Sequence, residues 1–222
     1  MKIKIGVFQA IACLVILSKW SFGQDDVTRI QELLAKAQKV PAYQCDMVTS
    51  SFIVVKTQPT KSAPPAMSKI WRKGPYSKTD TDFGYAMVTG PDGAYDYFVG
   101  KDQYSRHKGS FGPPLTEFAP FVEDKNCKLA ILGNEAVNGM NCTVVNVVER
   151  KNPKPGVSLS TKYWIWKDNG LIVKIEQTIK NGHTISKMLT EAKNFRFGDI
   201  PDDVFAVPKE KVVNNNSDTA PK

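Results

Sequence analysis

The chain has 222 residues, 41% hydrophobic and 23% charged, with 30 Lys and Arg against 22 Asp and Glu for a formal charge of +8. That apolar fraction excludes an intrinsically disordered chain, and the length suits one domain with short appendages. Four Cys and two His exclude a disulfide-dense scaffold and leave little for a His-based metal site or catalytic dyad.

In chain order, Lys2 and Lys4 precede an apolar run from Ile5 to Leu17 broken only by Gln9. Ser21-Phe22-Gly23 then puts small residues at the two positions a signal peptidase reads. The spacing predicts a secretory signal over residues 1–23, cleaved after Gly23, and an exported mature chain. The run is shorter than the ~20 residues a spanning helix needs. It also continues past Cys13, which argues against a lipidated cysteine there. Removing Lys2, Lys4 and Lys19 from the 30 basic residues leaves 27 against 22 acidic, a charge of +5. These charges are scattered, which together with export speaks against nucleic acid as a partner.

Asp25-Asp26 leads into Val27, Ile30, Leu33, Leu34, Ala37 and Val40. The spacing of three and four predicts an amphipathic helix over 27–40, with Ile30, Leu33, Leu34 and Ala37 inward and the acidic pair at its positive end. After Pro41 the period becomes two, and strands are predicted at 43–56, 67–73, 76–81, 85–89, 94–99 and 103–107. Gly74-Pro75, Gly84 and Pro91-Asp92-Gly93 separate them with turn chemistry. Gaps this short require antiparallel pairing. Leu115, Phe118, Ala119, Phe121 and Val122 form a short helix-like insertion. Further strands follow at 128–132, 141–150, 158–167, 171–180, 183–192 and 194–197, with Asn138-Gly139, Asp168-Asn169-Gly170 and Asn181-Gly182 as hairpin turns. Residues 211–222 lack core formers and are expected to be disordered.

In an oxidising compartment Cys45, Cys127 and Cys142 favour pairing. Cys127–Cys142, closing a short loop across a strand–turn–strand, is the expected bridge. A bridge from Cys45 to either is the alternative, and Cys45 otherwise reads as a small buried apolar residue. No Cys-x-x-Cys occurs, and His107 and His183 lie far from the cysteines in sequence. Neither a metal nor a cofactor is expected.

The elements together predict a mainly β (α+β) domain over 24–210. Its large curved antiparallel sheet of about ten strands closes incompletely, as a half β-barrel. The N-terminal helix and the short insertion cover its concave face.

Four segments carry a family resemblance. Lys69-Ile70-Trp71-Arg72-Lys73-Gly74-Pro75-Tyr76 resembles a strand with a basic residue beside a Pro turn. Gly90-Pro91-Asp92-Gly93 with Tyr95-Asp96-Tyr97 resembles an Asp-Gly turn entering an aromatic strand. Trp164-Ile165-Trp166-Lys167-Asp168-Asn169-Gly170-Leu171 is similar to a late hairpin, and Asp199-Ile200-Pro201-Asp202-Asp203-Val204-Phe205 to a closing segment. In this order they resemble the periplasmic lipoprotein carriers (LolA-like) and the wider lipoprotein-sorting superfamily, from about Val27 to Pro208. The match to the family's later lid helix is confined to Leu115–Val122.

The resemblance implies a periplasmic monomer that shields acyl chains of lipoproteins or lipids, between an inner-membrane donor and an outer-membrane acceptor. The alternative is an envelope sensor or protein-binding module with its interior filled. The candidate lining is Met47, Phe52, Trp71, Met87, Phe98, Trp164 and Trp166, with Phe118 and Phe121 as the lid; each CH₂ removed from water contributes roughly 0.8 kcal/mol. By the same resemblance Arg72 controls the lid, or Lys73 if the register is shifted by one; the alternative is a solvent-facing Arg beside Lys69 and Lys73. No Gly-x-Ser-x-Gly, His-Glu-x-x-His or phosphate-loop motif occurs, and Glu117, Glu123 and Asp124 read as surface charge, so no enzyme is expected.

Overall fold

A computed structural model describes residues 25–55, 60–98, 100, 103–107, 127–149 and 156–214. The expected signal over 1–23 and the insertion at 115–122 lie outside these residues. Among the described residues no helix is long and apolar enough to cross a membrane.

Helix α1 occupies residues 25–37. Thirteen strands follow: β1 (Ala42–Val55), β2 (Lys61–Ser62), β3 (Ala66–Lys73), β4 (Tyr76–Thr81), β5 (Tyr85–Gly90), β6 (Gly93–Phe98), β7 (Tyr104–His107), β8 (Cys127–Val137), β9 (Met140–Glu149), β10 (Val157–Trp166), β11 (Ile172–Asn181), β12 (Thr184–Phe197) and β13 (Val212–Asn214). They form one open sheet in the order β13-β7-β6-β5-β4-β3-β1-β12-β11-β10-β9-β8, with β2 beside β1. Every pairing is antiparallel except β13 with β7. A sheet this wide curls under its own twist.

The turns follow their sequence signals. Asn138 (φ 50) and Gly139 (φ 80) both sit in the left-handed region that a two-residue hairpin turn requires. Two expectations change. The stretches predicted at 183–192 and 194–197 are one strand, β12, because a bulge at Asn194 (φ 57) keeps the ladder to β1 running. Residues 212–214, expected in a disordered tail, pair parallel with Tyr104–Arg106. The β-branched Val212-Val213 completes an otherwise open edge, a long-range partnership that tail composition does not report.

Helix α1 lies on one face of the sheet, held there by apolar packing and three polar or close contacts. Ile30, fully buried, clusters with Val145, Val147, Tyr163, Ile165 and Ile172, and Leu33 and Leu34 pack against them. Ala37 joins Tyr43, Cys45, Ile70, Leu171 and Ala192. The inward stripe is the one the spacing predicts. Ile131 N donates to Asp26 Oδ2 at 3.1 Å, beside a bulge in β8. Lys36 Nζ donates to Lys167 O at 2.6 Å. Between them, a Cβ on Gly170 (φ 75) would lie 2.0 Å from Leu33 O. Only glycine admits so close a helix backbone at this turn.

The C-terminal segment covers part of the opposite face. Ile200, Val204, Phe205 and Val207 pack on Ala42, Val88 and Trp71. Lys73 Nζ fastens it through Ile200 O at 2.8 Å, Asp202 at 2.8 Å and Asp199 at 2.9 Å.

The expected Cys127–Cys142 bridge is absent: among the described residues Cys45, Cys127 and Cys142 form no disulfide. Cys127 lies opposite Glu149 and Cys142 opposite Glu135, at the two ends of the hairpin and on opposite faces. Roughly seven strand positions, more than ~20 Å, separate them, against ~7 Å at most between bridged Cα atoms. Fifteen residues that would close a short loop are instead spent on a long β-ladder.

Candidate functional site

Residues opposite one another in a ladder share a face, so the register assigns each strand residue to the helix side or the reverse side. The helix side carries Tyr43, Cys45, Met47, Thr49, Ser51 and Ile53 of β1. Continuing across β12, β11 and β10, it carries Met188, Thr190, Ile175, Ile179 and Leu159. In the other direction it carries Ile70, Arg72, Ser77, Thr79, Met87, Asp96 and Phe98.

Helix α1 covers this face only at one end. Beyond it lie Ile53 (46% exposed), Ile179 (38%) and Met188 (38%) on neighbouring strands, and Phe98 (45%) on β6. These are unusual exposures for branched and aromatic side chains beside a core. Phe98 belongs to an aromatic group: its ring centroid is 5.0 Å from Tyr85, which stacks on Phe83 at 6.4 Å. Two apolar patches therefore flank the polar middle of the face, where Ala66, Ser68, Thr79 and Thr81 stand.

The polar groups of the face are mostly hydroxyls. Thr49 and Thr190 share a hydrogen bond of 3.1 Å, and Ser77 and Thr89 share another. Asp96 Oδ1 lies 2.9 Å from His107 Nε2. Burial, with Asp96 nearby, raises the Tyr85 phenol above its ordinary range. Arg72 stands opposite Tyr43. Burial pushes the Tyr43 phenol up to about 12, while the Arg72 guanidinium acts in the opposite sense. Arg72 Nε reaches Gly74 O at 3.5 Å. Its Nη1 and the Tyr43 hydroxyl are buried without a well-aligned hydrogen-bond partner among the described residues.

The residues singled out from sequence divide between the faces. Met47, Met87, Phe98 and Arg72 lie on the helix side. Phe52, Trp71, Trp164 and Trp166 lie on the reverse side: Phe52 is opposite Lys187, Trp71 opposite Lys78, and Trp164 and Trp166 opposite Val144 and Cys142. That corrects their placement in an apolar lining shared with Met47. Trp164 is buried in a reverse-side cluster with Val137, Cys142, Val144 and Val173, and Trp166 packs against it. Trp164 Nε1 donates to Glu135 at 2.7 Å with Lys174 Nζ 4.7 Å above its ring, and Trp166 Nε1 donates to Asp168. Phe118 and Phe121 lie outside the described residues. Ile53, Ile179, Met188 and Tyr85 do not stand out in the sequence, because alternation within one strand does not say which face a helix leaves exposed. The signal for Ile179 was Asn181-Gly182, a turn that sets it opposite Ser186. No group of three or more metal-ligating side chains occurs among the described residues.

No family model and no curated protein matches the sequence. Solved structures share the fold. An uncharacterized conserved protein from Thermus thermophilus is similar over 83% of this chain and 98% of its own, at 12% identity and a TM-score of 0.51. MucB, solved in complex with MucA(peri), is similar over 85% of this chain at 16% identity and a TM-score of 0.50. The match spans 62% of the MucB chain. A LolA superfamily protein from Nitrosomonas europaea is similar over 80% of this chain and 97% of its own, at 12% identity and a TM-score of 0.36. At these identities the likeness is one of fold.

Proposed function

We propose that the uncovered part of the helix-side face binds acyl chains of lipoproteins or lipids, and that the protein is an exported, periplasmic carrier of them toward the outer membrane. The observation that carries this reading is the apolar surface left beside α1, at Ile53, Ile179, Met188 and Phe98. Acyl chains suit it because removing apolar area from water is favourable at roughly 25 cal/mol per Å², with no need for directional partners. Met47, Met87 and Phe98 remain in the proposed lining. Thioether side chains suit an irregular, exchangeable ligand because they repack at low cost.

In this reading Arg72 governs release. Its guanidinium beside the buried Tyr43 hydroxyl supports that role, since its several fixed N–H donors suit a carbonyl brought over the face. Replacing Arg72 with Leu should slow dissociation of a fluorescent fatty-acyl probe, while Lys should act more mildly because charge survives without the planar fork. Equal off-rates in all three proteins would return Arg72 to a structural role.

A second reading, an envelope sensor or protein-binding module, is favoured by MucB, whose structure with MucA(peri) has a similar fold. Native mass spectrometry of protein purified from a membrane-containing lysate separates the two. A co-purified lipid supports the carrier, and a lipid-free protein that also fails to bind the acyl probe supports the module.

A further inference from the structure

The basic residues of this sheet are concentrated on the reverse face. Three reverse-face pairs neutralise one another: Lys78–Asp80 at 3.2 Å, Lys174–Glu191 at 3.4 Å and Lys162–Glu176 at 3.9 Å. Lys69, Lys180, Lys187, Lys193 and Arg196 are also on this face by register, all exposed, and none has an acidic partner among the described residues. Asp46 stands opposite both Lys69 and Lys193, but its carboxylate accepts from Asn194 Nδ2 at 2.7 Å. Asp46, Asn194, Lys69 and Arg196 line a polar recess of about 250 Å³, formed where the β12 bulge spreads the strands.

We propose that this reverse face is a docking surface for an anionic phospholipid bilayer. Charge complementarity argues for it first: five unpaired cations occupy β3, β12 and β11 around one hydrogen-bonded carboxylate. Breadth argues for a surface. From β3 across β1 and β12 to β11 is three strand spacings, ~14 Å, and Lys187 to Lys193 runs ~20 Å along the strand. A field that wide matches a plane of headgroups better than a single acidic side chain. Composition argues for lipid over an acidic protein. Met67, Lys69 and Trp71 alternate along the reverse side of β3, Met67 is half exposed, and the ammonium groups of Lys69 and Lys78 sit 5.6 and 5.4 Å from the Trp71 ring. Lysine interleaved with an amphipathic indole and an exposed apolar chain is the composition of a membrane–water interface. The recess admits one phosphate-bearing headgroup between Lys69 and Arg196. This docking does not rest on what the helix side binds.

The test is co-sedimentation of the full mature chain with phosphatidylcholine vesicles, with and without about 30% phosphatidylglycerol, at about 50 mM and about 500 mM salt. Wild type should bind only the anionic vesicles and release at high salt. A basic residue near an anionic surface is worth roughly fivefold in binding, so K69E/K193E/R196E should lose on the order of 100-fold or more. K128E, on the same face but at the β8 edge, should lose little. Thermal unfolding and acyl-probe binding of each variant report that the fold and the other face are intact. Equal binding to both vesicle types, or retained binding by the triple variant, would overturn the proposal. So would displacement of the vesicles by polyglutamate at matched charge, which would make the surface a site for acidic protein.

Discussion

On the helix-side face, among strand positions whose side chains are described, Lys61 opposite Ile53, Arg72 and the Asp96–His107 pair are the charged or imidazole groups among mostly apolar, hydroxyl and amide side chains. On the reverse face Lys, Arg, Asp and Glu recur along β3, β4, β11 and β12, and the Trp71 and Trp164 indoles lie beside lysines there. Neighbours in sequence such as Lys187 and Met188 belong to opposite environments. The contrast follows from the two-residue side-chain period, and a slip of one position would exchange the two surfaces. It teaches that charge on this protein is sorted by register, with most of it on the face away from α1.

The contrast depends on α1 being held to one face, and Gly170 is where that hold is tightest. In Gly170→Ala the new Cβ would meet Leu33 O at 2.0 Å and Ala37 N at 2.8 Å, at a φ of 75. A left-handed alanine costs about 1–2 kcal/mol and overpacking about 1–3 more. Urea unfolding should therefore lose on the order of 3 kcal/mol, the largest effect predicted, and α1 should exchange its amides faster. A variant as stable as wild type would mean the helix does not rest on this turn.

The adjacent pair then tests the faces directly. Met188→Lys places a charge in the exposed apolar patch and should weaken acyl-probe binding at least about tenfold, since a buried unpaired ammonium is heavily penalised. Its stability should change by only about 0.5 kcal/mol, because Met188 is already exposed. Lys187→Met, one residue away on the reverse side, should leave probe affinity unchanged. Comparable losses in both would erase the distinction between the faces.

A smaller effect is expected where the reverse face is covered. Lys73→Met removes the clamp to Ile200, Asp199 and Asp202, so amides of residues 200–207 should exchange faster and Trp71 fluorescence should shift. The clamp is also pH-dependent. Lys73 holds the Asp199 carboxyl below its usual range, so the contribution is present above an ordinary aspartate pKa and lost as pH falls through the depressed value. Hydrogen bonds to Asp202 and Asp199 raise Lys73. Its contribution is thus complete below an ordinary lysine pKa and lost as pH rises through the raised one. Trp71 emission constant from pH 2 to 12 would contradict the clamp.

Much of this architecture was legible because local signals and tertiary structure agree. The stripe Ile30, Leu33, Leu34, Ala37 faces the sheet, and Asn138-Gly139 and Asn181-Gly182 mark the β8–β9 and β11–β12 turns. What alternation could not give was the identity of the covered face. Trp164 and Trp166 do share a side, as their spacing requires, but it is the side away from α1, where Glu135 and Asp168 take their indole N–H groups. The closing strand β13 was hidden for a related reason. Val212 and Val213 become a strand only because β7, more than a hundred residues earlier, presents an open edge. The disulfide expectation failed on distance, since cysteine spacing does not reveal whether the intervening residues form a loop or a ladder.

The smallest expected effect is a null result on the thiols. Burial pushes the Cys45 thiol up to about 12 and the Cys142 thiol up to about 11, so at pH 8 their thiolate is on the order of a hundredfold to a few thousandfold scarcer than in free cysteine. Cys45 sits in the core beneath α1 and Cys142 on the reverse side beside Val144 and Trp164, while Cys127 starts the edge strand β8 half-buried. Alkylation of the unreduced mature protein should therefore label Cys127 first, and Cys45 and Cys142 only on unfolding. Reducing agent should leave Tm unchanged. A Cys127–Cys142 bridge would close a loop of about 15 residues worth about 3 kcal/mol, and its reduction would lower Tm by roughly 6–12 °C in a domain of this size. Such a drop, or two cysteines that stay unlabelled after denaturation without reductant, would require the β8–β9 ladder to be broken, and with it the register that separates the two faces.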